Sequence, residues 1–268
     1  MGDSYSHYHW KDLIETRIPP QVMRFVKQTG RAIFRYGMIK EDEKVLLSVS
    51  GGKDSLALAF ALAVRRSWLP INYSLEAVMI NWLEHPISDE AKEQLHQFFD
   101  ALEIPLLIKD EVQYPESFKG DFNCYLCSRN RRRILFDYAD EHDISLIAMG
   151  HHLDDLIETS LLNLSSRASF TTMQPVQEFF KGKLHIIRPM IEVHEHTIAS
   201  IAQKWQFPVV KPVCPHDQSN IRSRIKPIVK QLVTLDRDAK EHIYNAHHFD
   251  PPQRGEKINN VAVKTNLQ

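Results

Sequence analysis

Residues 44–67, KVLLSVSGGKDSLALAFALAVRRS, constrain the fold more than any other stretch of the chain. KVLLSVS (44–50) is a short apolar run, preceded by charges and followed by two glycines, which predicts a buried strand. LALAFALAVRRS (56–67), rich in Ala and Leu, predicts a helix. A strand that passes through two glycines into a helix makes an anion site. The glycines let the backbone approach closely, and the first helical N–H groups point at the ligand. Lys53 adds a positive charge, and Ser50 and Ser55 add hydroxyls. The G-x-x-x-x-G-K-[ST] spacing of a Walker loop is absent. A tight strand–helix turn that binds nothing is the other reading of the same residues.

The alternation continues along the chain. SLEAVMINW (74–82), PLLIKDEV (105–112) and SLIAMGH (145–151) predict strands. SDEAKEQLHQFFDAL (88–102), NRRRILFDYADEHD (130–143) and DDLIETSLLNLSSR (154–167) predict helices, with Ser88 as an N-cap. Strands that alternate with helices at this spacing imply an α/β fold, a parallel sheet sandwiched by helices. Ahead of it, residues 20–37 predict a helix between Pro20 and Gly37. Behind it, KLHIIRPMI (183–191) holds a further strand, residues 192–206 a helix, and 219–247 a helical pattern that Pro227 starts or kinks. The expected organisation is an N-terminal helical segment (1–37), an α/β domain (38–215), a C-terminal helical segment (216–249) and a disordered tail (250–268).

Composition excludes several classes. At 268 residues, 43% hydrophobic and 25% charged, the chain can bury a core without staples. Three cysteines and no basic, apolar N-terminal leader argue against a disulfide framework. No apolar run reaches the roughly 18 residues of a membrane span. These features point to a reducing cytoplasm and no membrane partner. The net charge of −1 does not exclude nucleic acid, because the basic residues cluster. Arg129 and Arg131–Arg133 form one block; Arg222, Arg224, Lys226 and Lys230 form another. Each block is either a solvated helix face or a contact for RNA phosphates.

Two further motifs carry chemistry. In AMGHHLDDLIE, Asp154 and Asp155 fall where a strand ends and a helix begins. They either cap the helix or hold Mg²⁺ against phosphates. His151 and His152 either contact a ligand or pack. In FNCYLCSRNRRRIL, Cys124 and Cys127 have CxxC spacing, and Cys214 follows 87 residues after Cys127. A redox pair, a zinc site completed by Cys214 and His216, and an iron–sulfur cluster all remain open from spacing alone. Tyr125, between the cysteines, either stacks on a base or packs.

SGGKDS resembles the PP-loop of the ATP pyrophosphatase superfamily, whose fold is adenine nucleotide alpha hydrolase-like and Rossmann-like. The resemblance implies ATP bound by Ser50, Gly51, Gly52, Lys53, Asp54 and Ser55, with Gly150 of the second motif, and cleaved between its α and β phosphates. GHHLDD is similar to the motif that accompanies SGGKDS in the tRNA-modifying members. CYLCSRNRRRIL, GHHLDDLIETSLLN, IIRPM and a late cysteine before DQSNIRSR together resemble the tRNA 2-thiocytidine synthetase family over residues 22–232. That likeness implies a [4Fe-4S] cluster on Cys124, Cys127 and Cys214, and catalytic roles for Lys53, Asp54 and Asp154. Asp54 and Asp154 would hold Mg²⁺. The implied substrate is tRNA, thiolated at C2 of a cytidine at position 32. The implied partners are a sulfur donor such as a cysteine desulfurase and a second copy in a homodimer. Lys211-Pro212-Val213 stands where some members carry a further cysteine, so this chain has no cysteine left over as a persulfide carrier.

Overall fold

The computed structural model describes residues 9–15, 18–66, 71–114, 123–210 and 222–249. Cys214, His216 and the expected disordered tail lie outside the described residues. The described elements, in order, are α1 (Trp10–Glu15), α2 (Pro20–Arg35), β1 (Glu43–Val49), α3 (Lys53–Arg66), β2 (Tyr73–Trp82), α4 (Asp89–Ala101), β3 (Leu106–Glu111) and α5 (Cys124–Glu141). They continue with β4 (Leu146–Met149), α6 (Leu153–Arg167), β5 (Val176–Phe179), β6 (Leu184–Ile187), α7 (Glu195–Lys204), α8 (Arg222–Leu235) and α9 (Ala239–Asn245). None of the described helices is long and apolar enough to cross a membrane.

The strands form a six-stranded sheet in the order β3-β2-β1-β4-β6-β5. β1 lies inside it, parallel to β2 (Val45 opposite Leu75) and to β4 (Val45 opposite Leu146). Successive side chains alternate between two cores. Val45, Leu47 and Val49 pack on one face with Phe25, Phe60 and Phe98; Leu46, Val78, Ile147 and Ile186 pack on the other with Ile134 and Leu135. Burial on both faces explains why β1 reads as a continuous apolar run. α3 is buried from Ser55 through Leu62, and its alanines let it sit close against the sheet.

The expected helix-flanked sheet is present; it is mostly parallel, and β5 runs antiparallel to β6 at its edge. Val176–Phe179 is only half-covered at the edge, so it carries no apolar run, and the turn that joins it to β6 uses left-handed Phe180, Lys181 and Gly182. Two helix starts differ from expectation. α5 starts at Cys124, not residue 130, because the Asn123 side chain accepts the Leu126 N–H at 3.1 Å and caps the helix there. α3 likewise starts at Lys53, directly after the glycines, rather than at residue 56. The C-terminal helical pattern divides into α8, which runs through Pro227, and α9.

The C-terminal helices are joined to the domain through Glu192. Its carboxylate accepts from Arg35 at 2.6 Å and from the Tyr244 hydroxyl at 3.2 Å, while its carbonyl accepts from Gln28 at 2.7 Å. Tyr36 and Tyr244 also share a hydrogen bond. Glu192→Ala should therefore lower stability by about 2 kcal/mol, read as a drop in urea midpoint without a change in slope. An unchanged midpoint would mean that α9 is held by other contacts.

Candidate functional site

The loop between β1 and α3 is built by mutual constraint. Gly51 has φ +79°, and a Cβ there would lie 3.1 Å from the Val210 carbonyl oxygen and 3.3 Å from Met79 Cε. The Val210 N–H donates to the Gly51 carbonyl at 2.9 Å, so the segment after α7 braces the loop. Ser55 organises the turn. Its Oγ accepts the Ser50 N–H at 3.2 Å and donates to the Gly52 carbonyl at 2.9 Å. The Gly52 N–H donates to Ser50 Oγ at 3.3 Å. Gly150, which follows β4, sits flush against this helix start: a Cβ there would be 3.0 Å from the Asp54 carbonyl and from the Ser55 nitrogen. Only a residue without a side chain allows that contact, which accounts for both glycines. The product is a helix N-terminus at the C-terminal edge of parallel strands, where anionic ligands bind in such sheets.

Charged groups from five helices converge here. Lys53 Nζ lies 3.0 Å from Asp54 Oδ2 and 3.1 Å from Glu195 Oε1. Burial opposes its charge, but Asp54 and Glu195 outweigh burial and hold it above its ordinary value. Glu195 opens α7 and also pairs with Lys226 of α8 at 3.3 Å. Burial pushes its carboxyl up, and Lys53 with Lys226 brings it below the usual range.

Asp54 Oδ1 is buried and has no hydrogen-bond partner among the described residues; His152 Nε2 is 3.7 Å away. An orphaned carboxylate oxygen beside a phosphate loop fits a cation that phosphates would share.

Asp154 is differently placed. Its Oδ2 accepts the Glu195 N–H at 2.8 Å, so it caps α7, and its Oδ1 is paired with Lys240 of α9. Burial raises the Asp154 carboxyl, but the Glu195 N–H and Lys240 together keep it below the usual range. With both oxygens engaged, Asp154 orders the site in this arrangement, and Asp54 is the better fit to magnesium. Asp155 has the capping role: with His152 it closes a capping box on α6, its N–H reaching His152 Nδ1 at 3.4 Å.

Cys124 and Cys127 occupy the first turn of α5, at the same edge of the sheet. Residues three apart share a helix face. Cys124 is exposed and Cys127 half-buried. Gln113, just past β3, donates to Cys127 Sγ at 3.2 Å. Gln113 is itself held: its N–H meets Glu84 at 2.9 Å and its carbonyl accepts from Asn130 at 2.9 Å. Two sulfur ligands with a fixed hydrogen-bond donor fit a metal cluster, whose ligands need such support. The third expected ligand, Cys214, is outside the described residues.

The basic blocks separate on inspection. Arg131 stacks over Trp82 at 5.7 Å, and Arg133 pairs with Asp137 at 2.9 Å. Lys226, read as part of a solvated face or an RNA contact, turns toward Glu195 and Glu158. Tyr125 is 68% exposed, so it does not pack in the core. Sequence reasoning missed Glu195, Lys226 as a site residue, Lys240 and Arg188. Each is remote in sequence from the phosphate loop; Arg188 lies in IIRPM, but nothing in that motif marks its contacts, and no local motif marks the other three.

The Asp154–Lys240 pair gives a pH-dependent test. Asp154 has a folded pKa below its unfolded value, so the stability it adds is present above about pH 4 and lost as pH falls further. Lys240→Met leaves the carboxylate buried without its cation and should cost about 3 kcal/mol at pH 7. In urea titrations, the gap to wild type should close below about pH 4. A gap independent of pH would show that Lys240 acts only by packing.

Comparison with known proteins agrees with this geometry. A PP-loop domain model matches residues 15–232. A tRNA-cytidine(32) 2-sulfurtransferase of Stenotrophomonas maltophilia (strain R551-3) is 33% identical over 216 residues, 78% of this chain and 70% of the relative. One from Variovorax paradoxus (strain S110) is 33% identical over 259 residues, 89% of this chain and 81% of the relative. Among solved structures, the U34-tRNA thiolase NcsA from Methanococcus maripaludis, with its [4Fe-4S] cluster, has a TM-score of 0.67 at 22% identity. That match covers 85% of this chain and 78% of the thiolase, and it supports the fold. With the loop, the second motif and the CxxC helix at one sheet edge, the chain belongs to the PP-loop superfamily and, within it, to the tRNA 2-thiocytidine synthetase family.

Proposed function

We propose that this chain is an ATP-dependent tRNA thiolase that replaces O2 of a cytidine, at position 32 of the anticodon loop, with sulfur. The observation that carries the reading is the shared edge. The PP-loop follows β1, and the CxxC helix is anchored by Gln113 just after β3, which supports nucleotide and sulfur chemistry at one edge of the sheet. Ser50–Ser55 and the start of α3 would hold the pyrophosphate portion of ATP, with Gly150 keeping the approach open. Lys53, already charged, would exchange Glu195 for phosphate oxygens. Base O2 attacks the α-phosphorus, the bond to the bridging oxygen breaks, and pyrophosphate leaves as Lys53 and the helix N-terminus stabilise the developing charge. Sulfur then adds at C2, the C2–O bond breaks, and AMP leaves with the oxygen.

Mg²⁺ on Asp54 would neutralise the phosphates, with Asp154 acting through Glu195. Cys124, Cys127 and Cys214 are the proposed ligands of a [4Fe-4S] cluster. When bound, that cluster supplies an iron without a cysteine ligand, able to carry sulfide. Since all three cysteines would be ligands, sulfur must come from a separate donor such as a cysteine desulfurase. Such a site requires a reducing compartment, the cytoplasm.

The first test is metal and sulfide content after anaerobic purification, for wild type and Cys214→Ser. About four iron and four acid-labile sulfides per chain, depleted in the variant, are expected. One zinc and no iron would overturn the thiolation chemistry and favour a nitrogen nucleophile on the same ATP site. The second test is tRNA-dependent AMP release by Asp54→Asn. It should fall by about a hundredfold or more while the fold is retained. Release at the wild-type rate would remove Asp54 from the site.

A further inference from the structure

Gln113 is a buried amide aimed at a proposed cluster ligand. It lies two residues past β3 and is 3% exposed. Its side-chain Nε2 donates to Cys127 Sγ at 3.2 Å. Its backbone is held independently on both sides. The N–H donates to the two carboxylate oxygens of Glu84, at 2.9 and 3.0 Å, and the carbonyl accepts from Asn130 Nδ2 at 2.9 Å.

Asn130 stands three residues after Cys127, one turn along the same face of α5. Its amide is held one way round. Arg133 donates to Asn130 Oδ1 from Nε at 3.2 Å and from a terminal nitrogen at 3.1 Å, and a guanidinium has no acceptor to offer in exchange. Asn130 Nδ2 therefore faces the Gln113 carbonyl. The result is a closed clamp: α5 grips the Gln113 backbone through Asn130, and the Gln113 side chain returns to α5 at Cys127. The sulfur sets the orientation of the Gln113 amide. A thiolate that binds iron has no proton and only accepts, so it calls for the N–H and not the oxygen. Cys127 also packs against the apolar cluster that includes Trp82 and Ile134. In such a setting a hydrogen bond is electrostatically stronger than in water.

We infer that Gln113 is the positioning residue of the cysteine site: its N–H fixes Cys127 Sγ for iron and offsets negative charge on the sulfur, which raises the reduction potential of the cluster bound there. Hydrogen bonds to ligand sulfurs are among the levers that set such potentials. Negative charge arrives whether an electron is added or sulfide binds at the open iron, so the same N–H favours sulfide loading. The inference rests on the cluster of the thiolase reading and adds the residue that tunes it.

The anchors of Gln113 are on its backbone, so its side chain can be changed without them. Gln113→Met removes the N–H, keeps the side-chain length and leaves the contacts to Glu84 and Asn130 in place. The full chain is purified anaerobically and its iron is measured. The cluster is then reduced by one electron from dithionite through mediator dyes while its visible absorbance is followed. The equilibrium constant for reduction should fall about tenfold in Gln113→Met, a midpoint potential about 60 mV more negative. Asn130→Ala keeps the Gln113 amide but frees its carbonyl, and should shift the potential in the same direction by less. A residue that only packed would change the urea midpoint and leave the potential where it is. An unchanged potential in Gln113→Met overturns the inference and leaves the thiolase reading standing. If that variant holds no iron, an unchanged potential in Asn130→Ala overturns it. Wild-type protein without iron removes both.

Discussion

The carboxylate of Asp154 holds the site together. It takes the Glu195 N–H on one oxygen and Lys240 on the other, and so joins the start of α6 to α7 and α9. Glu195 in turn holds Lys53 of the phosphate loop and Lys226 of α8. The C-terminal helices are therefore part of the nucleotide site, through two lysines that reach into it. Such a network, bonded on both sides in a half-buried setting, fixes geometry more than it adds net stability.

The charges are arranged so that a polyphosphate can enter. Without nucleotide, the ammonium of Lys53 is compensated by Asp54 and Glu195 rather than left waiting in water. Phosphate oxygens would replace one carboxylate with another anion and leave Glu195 to Lys226. Among the described residues, Asp54 Oδ1 is the buried site oxygen without a hydrogen bond. That asymmetry separates the two aspartates that resemblance treats alike: Asp154 has both oxygens engaged by protein, and Asp54 has one oxygen unbonded.

Much of this was legible in the sequence, for identifiable reasons. β1 and its glycine turn were readable because burial on both faces imposes an apolar run, and the turn then needs residues without side chains. The CxxC was visible as a spacing, but its place on the first turn of α5 was not. That depends on Asn123 as a cap, which competes with nothing local and has no periodic signal. β5 was missed because a half-exposed edge strand of four residues has neither alternation nor an apolar run. Lys226 was read as part of a surface row, since helical spacing places it there; only the neighbour across the site, Glu195, turns it inward.

The sequence by itself determined the fold class, the phosphate loop and the likeness to a thiolating family, because these rest on local pattern: short apolar runs alternating with helical segments, glycine geometry and short motifs. Tertiary structure alone decided the division of labour. It assigned Asp154 to an α7 cap, joined Lys240 and Glu195 to the loop, and set Arg188 against His151 at 37 residues' separation. Hydrogen bonds and ion pairs act over a few ångströms in space regardless of distance along the chain. Which side chain meets which is therefore settled only when the sheet has brought its strand ends together.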